Sequence, residues 1–242
     1  MDYQSWKQHF QSNQHQFDHI DWHVVDHLTE HEKETICTSL QQFQRGENSE
    51  GKHLLKYAKK FADPSYAEAI KLFIKEEQRH AMILAQFMDL HKIPRIKDHW
   101  VDSIFRALRK YAGLENTIIV LVTAEIIAKV YYRSLGSATD SIILKKICHQ
   151  ILADEDQHLL FQADTLHHFY RDSSRLHQIV TRSWHRLLMT GTIFVVWFSH
   201  RKVLKSNGGF FGRFFMETML VYFEVERSIK RNLATSPERG RA

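Results

Sequence analysis

The sequence predicts an all-α fold, and three observations support this prediction. Only 9 glycines and 3 prolines occur in 242 residues, so few positions interrupt a helix. Long runs repeat apolar residues at steps of three and four, which is the period of an amphipathic helix. No stretch alternates apolar and polar residues as a half-buried strand does. The helices must therefore bury their apolar stripes against one another.

The beginning of the chain predicts a helical hairpin preceded by a polar segment. Residues 1–31 are rich in His and Gln and lack the apolar core of a signal peptide. Thr29 and Glu32 have the spacing of a capping box, which predicts a helix from about residue 32 to 61. Asp63-Pro64 ends that helix and begins the next, because proline is tolerated in a first helical turn. The short connection makes the two helices antiparallel.

A second hairpin follows after a longer connection. Pro94 ends the second helix, and residues 95–111 cross to the far side of the bundle. A third helix covers about residues 118–135, and Asp140 is the expected cap of a fourth. The sequence thus predicts that residues 32–172 form a four-helix bundle of two antiparallel hairpins.

The rest of the chain predicts two additional C-terminal helices, within residues 173–235, that pack on the bundle. Residues 187–198 form an apolar run of only 12 residues, too short to span a bilayer. We expect the aromatic positions to pack on the bundle or on a second subunit of a homodimer, with Trp197, Phe210, Phe211 and Phe214 buried. The polar tail, residues 236–242, is expected to be disordered.

Charge and cysteine content exclude some classes of function. The formal net charge is +5, but the basic residues are scattered and no dense Lys/Arg run with interleaved aromatics marks a nucleic-acid site. Two cysteines, Cys37 and Cys148, give no disulfide framework, which favours a reducing cytoplasmic location.

One spacing occurs twice on the predicted core stripes. Glu77 and His80 are three residues apart, as are Glu155 and His158, so each pair shares one helix face. Buried charges are costly unless they are paired or bind a metal. A bundle that binds two metal ions needs this pair twice, together with one further Glu from each of the other two helices.

The two further glutamates come from the helix before each pair. Glu125 is the only carboxylate on its stripe and lies 30 residues before Glu155 (155 − 125). On the first helix Glu47 lies 30 residues before Glu77 (77 − 47), whereas Glu50 lies 27 before it. Internal symmetry favours Glu47, and Glu50 remains the alternative.

Residues beside these ligands suggest supporting roles. Glu76 and Asp154 each precede a ligand Glu, and a metal-bound His usually gives its other ring N–H to a carboxylate. Each is therefore a candidate partner for the imidazole of the opposite helix, and Arg79 is a further candidate in this outer layer. Tyr132 and Tyr57 are candidate redox or pocket residues.

Glu76-Glu77-Gln78-Arg79-His80 resembles the acidic-Glu-x-Arg-His signature of carboxylate-bridged di-iron proteins in the ferritin-like superfamily. Asp154-Glu155-Asp156-Gln157-His158 is similar to the second signature, but Gln157 stands where Arg is often found. The resemblance covers roughly residues 33–170. It implies a ferritin-like bundle, related to rubrerythrins, bacterioferritins and the small subunit of ribonucleotide reductase, that holds two iron ions, with Fe/Mn or Mn/Mn as alternatives.

The expected activity is that of a di-iron oxygenase or oxidase. It would use dioxygen and an external electron donor to oxidise a small organic substrate, which the appended helices would enclose. A rubrerythrin-like peroxidase or a ferritin-like iron-handling protein is the first alternative. A metal-free structural bundle is the second.

Overall fold

A computed structural model describes residues 2–48, 51–61, 63–97 and 113–235. In these ranges the chain is helical and contains no strand, which confirms the all-α prediction. Short 3-10 turns lie at Asn13–His15 and Ser206–Gly208. The α-helices are α1 Tyr3–Ser12, α2 Glu30–Glu47, α3 Lys52–Ala58, α4 Pro64–Leu90, α5 Gly113–Ser137, α6 Ile142–Arg171, α7 Arg175–Lys205 and α8 Phe211–Thr235.

Two of the three predicted helix starts are confirmed. Thr29 and Glu32 form both hydrogen bonds of a capping box at α2, and Asp63 accepts a hydrogen bond from Ser65 N at the start of α4. The prediction for α6 was wrong by one residue. Ser141, not Asp140, caps that helix, because its hydroxyl accepts a hydrogen bond from Leu144 N.

The first long helix of the prediction is interrupted. α2 ends at Glu47 and α3 begins at Lys52, so residues 32–61 are not one continuous helix. Gly51 has φ of +59°, a conformation that side chains with a Cβ rarely adopt. A Cβ at this position would also collide with the side chain of Ile74 on α4. A glycine that fits closely against α4 therefore fixes the break.

The N-terminal segment contains a helix that packs on the bundle. α1 lies against α4 and buries Tyr3, Trp6 and Phe10, which share one helix face. Trp6 Nε1 donates a hydrogen bond to Asp164 Oδ2 on α6 at 2.8 Å. The polar composition of residues 1–31 concealed this short apolar stripe.

Four helices surround an interior with two apolar clusters. α5 packs along α6, α2 packs on α4, and α4 also contacts α6. On α4 one cluster ends at Ile74 and the other begins at Ile83. On α6 the corresponding limits are Ile151 and Leu159. The short polar layer between these limits contains the predicted ligands.

The two C-terminal helices pack against this core, α7 on α5 and α2, and α8 on α6 and α5. Trp197 and Phe214 are buried, as predicted, and Phe211 is partly buried. The predicted burial of Phe210 is wrong, since 62% of this residue is exposed. Phe210 precedes α8, and its ring lies over Gly212 rather than in the core. In the described ranges no helix has the length and apolarity needed to cross a membrane. Most of the crossing at 95–111 and all of the tail at 236–242 lie outside the described residues.

Candidate metal centre

Four helices bring the six predicted ligands to the polar layer between the two apolar clusters. Their elements are Glu47 at the end of α2, Glu77 and His80 on α4, Glu125 on α5, and Glu155 and His158 on α6. Five of the six are buried, and Glu77 is partly exposed. The alternative residue, Glu50, lies outside the described residues.

The ligand atoms converge in two overlapping groups. Glu47, Glu77, His80 and Glu155 each place one donor atom within 4.8 Å of the others. Glu77, Glu125, Glu155 and His158 do the same, so Glu77 and Glu155 belong to both groups. Two adjacent four-residue groups that share two carboxylates are suited to two neighbouring metal ions.

Several of these atoms are buried without a hydrogen-bond partner in the described part of the chain. They include Nδ1 of both imidazoles, Oε1 of Glu77 and both carboxylate oxygens of Glu155. His158 Nδ1 lies 3.2 Å from Glu77 Oε1 and 3.5 Å from Glu155 Oε2. Buried polar atoms left without hydrogen bonds are costly, and one metal ion in each ligand group would coordinate them.

The opposite nitrogen of each imidazole is anchored across the bundle. His80 Nε2 on α4 is 3.0 Å from Asp154 Oδ2 on α6. His158 Nε2 on α6 is 3.1 Å from Glu76 Oε1 on α4. When each Nε2–H donates to its carboxylate, the lone pair of Nδ1 faces the ligand cluster, as metal coordination requires.

The N-terminal segment and neighbouring side chains hold these outer carboxylates. Asn13 Nδ2 donates to Asp154 Oδ1 at 2.8 Å and to Glu76 Oε2 at 3.2 Å. Gln16 Nε2 donates to Asp154 Oδ2 at 3.0 Å. Arg79 donates to both Gln16 and Glu76. Asn13 and Gln16 were missed by the sequence reasoning, and their only signal was the apolar stripe of α1 that places them here.

The pKa values of three inner carboxyl groups, Glu77, Glu125 and Glu155, are raised. Burial is the main cause at Glu77, Glu125 and Glu155, and the negative charges of neighbouring carboxylates raise the first two further. Burial opposes protonation of His158, but the adjacent carboxylates of Glu155, Glu76 and Glu77 outweigh burial and raise its pKa. The cluster therefore concentrates negative charge that only protons or metal cations can neutralise.

The outer carboxyl of Asp154 behaves differently from the inner ones. Burial acts to raise its pKa, but the hydrogen bond with His80 and the charge of that imidazole outweigh burial, and the pKa is lowered. Asp154 therefore stays ionised while it orients the imidazole of His80.

Tyr132 contacts the centre directly, because its hydroxyl donates a 2.6 Å hydrogen bond to Glu47 Oε1. Burial, and then the Glu47 charge, raise the pKa of Tyr132 well above its usual value, so the hydroxyl keeps its proton. Tyr57 is partly buried on α3, beyond the break that follows Glu47.

Gln162 is a further polar residue that the sequence reasoning did not single out for function. It is fully buried one turn after His158 on α6, and neither its amide oxygen nor its nitrogen has a hydrogen-bond partner among the described residues. An interior amide in this state is available to bind a polar group that enters the bundle.

Comparison of the chain with models of protein families, with curated proteins and with solved structures gave no match.

Proposed function

We propose that this chain is a ferritin-like di-metal carboxylate oxidoreductase that uses dioxygen to oxidise or oxygenate a small organic substrate. One observation carries the proposal: two four-residue ligand groups, buried except for the partly exposed Glu77, share Glu77 and Glu155. Ferritin-like di-iron bundles place a Glu on two helices and a Glu-x-x-His pair on the other two, and this chain has that distribution.

The donor set fits two iron or manganese ions. Glu47 and His80 would complete one site, Glu125 and His158 the other, and Glu77 and Glu155 are available to both. Carboxylate and imidazole donors in this ratio suit divalent iron or manganese, and four ionised Glu balance the charge of two divalent ions. When bound, the two ions would supply the electrons and open coordination positions for dioxygen reduction.

The chain's own residues orient the ligands and exclude water. Asp154 and Glu76 fix the imidazole tautomers, as their 3.0 and 3.1 Å contacts with His80 and His158 indicate. Phe73 packs against the ring of His158, with ring centroids 4.8 Å apart, and Phe17 lies 5.9 Å from the ring of His80. Such apolar walls keep bulk water from a reactive centre.

Two polar groups are placed for roles beyond metal binding. The Tyr132 hydroxyl holds a proton beside Glu47 and would stabilise that carboxylate in one orientation. The unpartnered amide of Gln162 would bind a polar group of the substrate one turn from His158. Both roles follow from position in the interior rather than from the metals themselves.

The experiment that tests the proposal is anaerobic loading of iron(II), followed by air, with optical spectra and product analysis. We expect about two ions per chain, absorption changes on exposure to air, and an oxidised organic product in the presence of an electron donor. Iron uptake without organic product, together with mineral formation in a many-subunit shell, would favour iron handling instead. If the chain binds no metal, the result would support the alternative of a metal-free structural bundle.

A further inference from the structure

The outer surface of the C-terminal helices is unusually apolar. Among the large apolar side chains that are exposed in the described ranges, eleven of sixteen lie on α7, on α8 or directly before α8. The most exposed on α7 are Leu176, Leu187 and Phe198, with 71%, 66% and 65% of each residue accessible. Contiguous exposed apolar surface of this kind usually marks an interaction site.

Six of the seven exposed large apolar residues of α7 form one stripe along the helix, which we call the α7 stripe. It consists of Leu176, Val180, Trp184, Leu187, Phe194 and Phe198. Consecutive members are three, four or seven residues apart, so they share one face. The opposite face contains the buried residues Thr181, His185, Met189, Ile193, Val196 and His200. From residue 176 to 198 the stripe is about 33 Å long at 1.5 Å per residue.

The charges on α7 are all of one sign. Residues 175–205 contain six Arg or Lys and no Asp or Glu. Arg186, Arg201, Lys202 and Lys205 are exposed, whereas residues 187–200 carry no Lys, Arg, Asp or Glu. An apolar face containing Trp, Phe and Leu beside basic residues is typical of helices that lie in a membrane interface.

We propose that the α7 stripe seats the protein on an anionic lipid surface, with α7 parallel to the bilayer plane. Leu187, Phe194 and Phe198 enter the boundary between headgroups and acyl chains, and the basic residues contact lipid phosphates. The proposal does not depend on the metal centre.

Charge argues against a second copy of the chain as the occupant. Two α7 helices that pair through this stripe would place basic residues near basic residues, with no acidic partner on either helix. Like charges at such an interface reduce affinity, whereas anionic lipid headgroups neutralise them. The structure therefore favours the bilayer over the homodimer for this surface.

Co-sedimentation of the full chain with vesicles tests the proposal, using phosphatidylcholine with and without phosphatidylglycerol. We expect binding to the anionic vesicles and a blue shift of tryptophan emission that Trp184→Phe abolishes. Leu187→Glu with Phe198→Glu should weaken binding at least tenfold, because two charges replace two membrane-inserted side chains. Arg201→Gln with Lys202→Gln should weaken binding about tenfold or more, and only on anionic vesicles.

Leu90→Glu is the matched control, since Leu90 is an exposed apolar residue on α4, outside the stripe. It should bind vesicles like the wild type, and all variants should keep the wild-type circular dichroism and melting temperature. Wild-type binding by the Leu187→Glu/Phe198→Glu variant overturns the proposal. The proposal is also overturned if the wild type is a dimer that does not bind vesicles and that dissociates when Leu187 and Phe198 are both changed to Glu.

Discussion

Helix α6 contributes to two buried polar clusters whose surroundings differ. The first is the candidate metal centre. The second, which we call the distal cluster, consists of Tyr170, Arg182, His185, Tyr222 and Glu226, from α6, α7 and α8. His185 is fully buried, and its Nδ1 is 3.9 Å from Glu226 Oε1, too far for a hydrogen bond. Arg182 Nε is 3.5 Å from Glu226 Oε2, and the Arg182 guanidinium lies over the ring of Tyr170.

The two clusters differ in how their imidazoles are held. At the centre, Nε2 of His80 and of His158 is anchored to a carboxylate, and each Nδ1 faces the ligand groups. In the distal cluster neither nitrogen of His185 has a hydrogen-bond partner among the described residues. Burial lowers the pKa of His185 to about 4, whereas the carboxylates around His158 raise its pKa.

This difference shows what distinguishes a candidate metal site from buried polarity alone. Burial by itself favours neutral side chains, so His185 is held uncharged. A metal site also needs convergent donors and an outer layer that orients them, and both occur only at the first cluster among the described residues. Four predictions test this comparison, from the largest expected effect to the smallest.

Removing a shared carboxylate should have the largest effect. Glu77→Ala and Glu155→Ala each take a donor from both ligand groups, so metal content should fall from about two ions per chain to well below one. Glu226→Ala removes a buried carboxylate from the distal cluster and should leave metal content unchanged. Elemental analysis of folded protein measures this. Equal metal content in all three variants contradicts the ligand assignment. Loss of metal in Glu47→Ala would assign the remaining ligand to Glu47 rather than to Glu50.

Asp154→Asn should have the next largest effect. The amide keeps the volume but cannot accept the His80 N–H as strongly, so metal affinity or turnover should fall about 10–100-fold. Competition with a chelator measures the affinity, and the melting temperature of the metal-free protein serves as control. Wild-type affinity in this variant would show that the contact with His80 does not support metal binding.

Asn13→Ala tests whether the N-terminal segment supports the centre. The change removes hydrogen bonds to Asp154 and Glu76 but leaves those from Gln16 and Gln150, so we expect a loss of metal affinity of about tenfold at most. Ser12→Ala, one residue away, is the control, since among the described residues its hydroxyl donates a hydrogen bond only to the carbonyl of His9. Equal affinities for both variants and the wild type would limit α1 to a packing role.

The smallest expected effect concerns the pH dependence of stability at His185. An unfolded His titrates near 6.5 and folded His185 near 4, so the unfolded chain binds more protons between these values. The contribution of this residue to the free energy of unfolding is therefore present above about pH 6.5 and lost as the pH falls toward 4. Between pH 7.5 and 5.5 this contribution decreases by about 1 kcal/mol.

Denaturant unfolding of the wild type and of His185→Gln at the two pH values measures this difference. Glu226, which faces His185 and has a pKa raised by burial, changes stability in the opposite direction but is present in both chains. The exposed His23→Gln serves as control and should keep the wild-type pH dependence. If the free energy of unfolding of His185→Gln depends on pH as that of the wild type does, His185 is not held neutral.

The sequence alone was sufficient for the helical class and for the inward face of each predicted ligand. The three-residue spacing of Glu77 with His80 and of Glu155 with His158 is a local property, and so are the capping box of Thr29 and the proline start of α4. Local spacing also identified Glu76 and Asp154 as candidate outer carboxylates, and the structure places them 3.1 and 3.0 Å from the opposite imidazoles. These features depend on helix geometry within a few turns.

Only the tertiary structure decided which distant residues meet. Asn13 contacts Asp154 across 141 positions of sequence, and Gly51, directly before α3, lies where a Cβ would collide with Ile74 of another helix. The exposed stripe of α7 likewise resembles a core stripe in the sequence, since both repeat apolar residues at three and four. Whether such a face is covered depends on the packing of whole helices, and that packing is set by the burial of the entire core rather than by any local spacing.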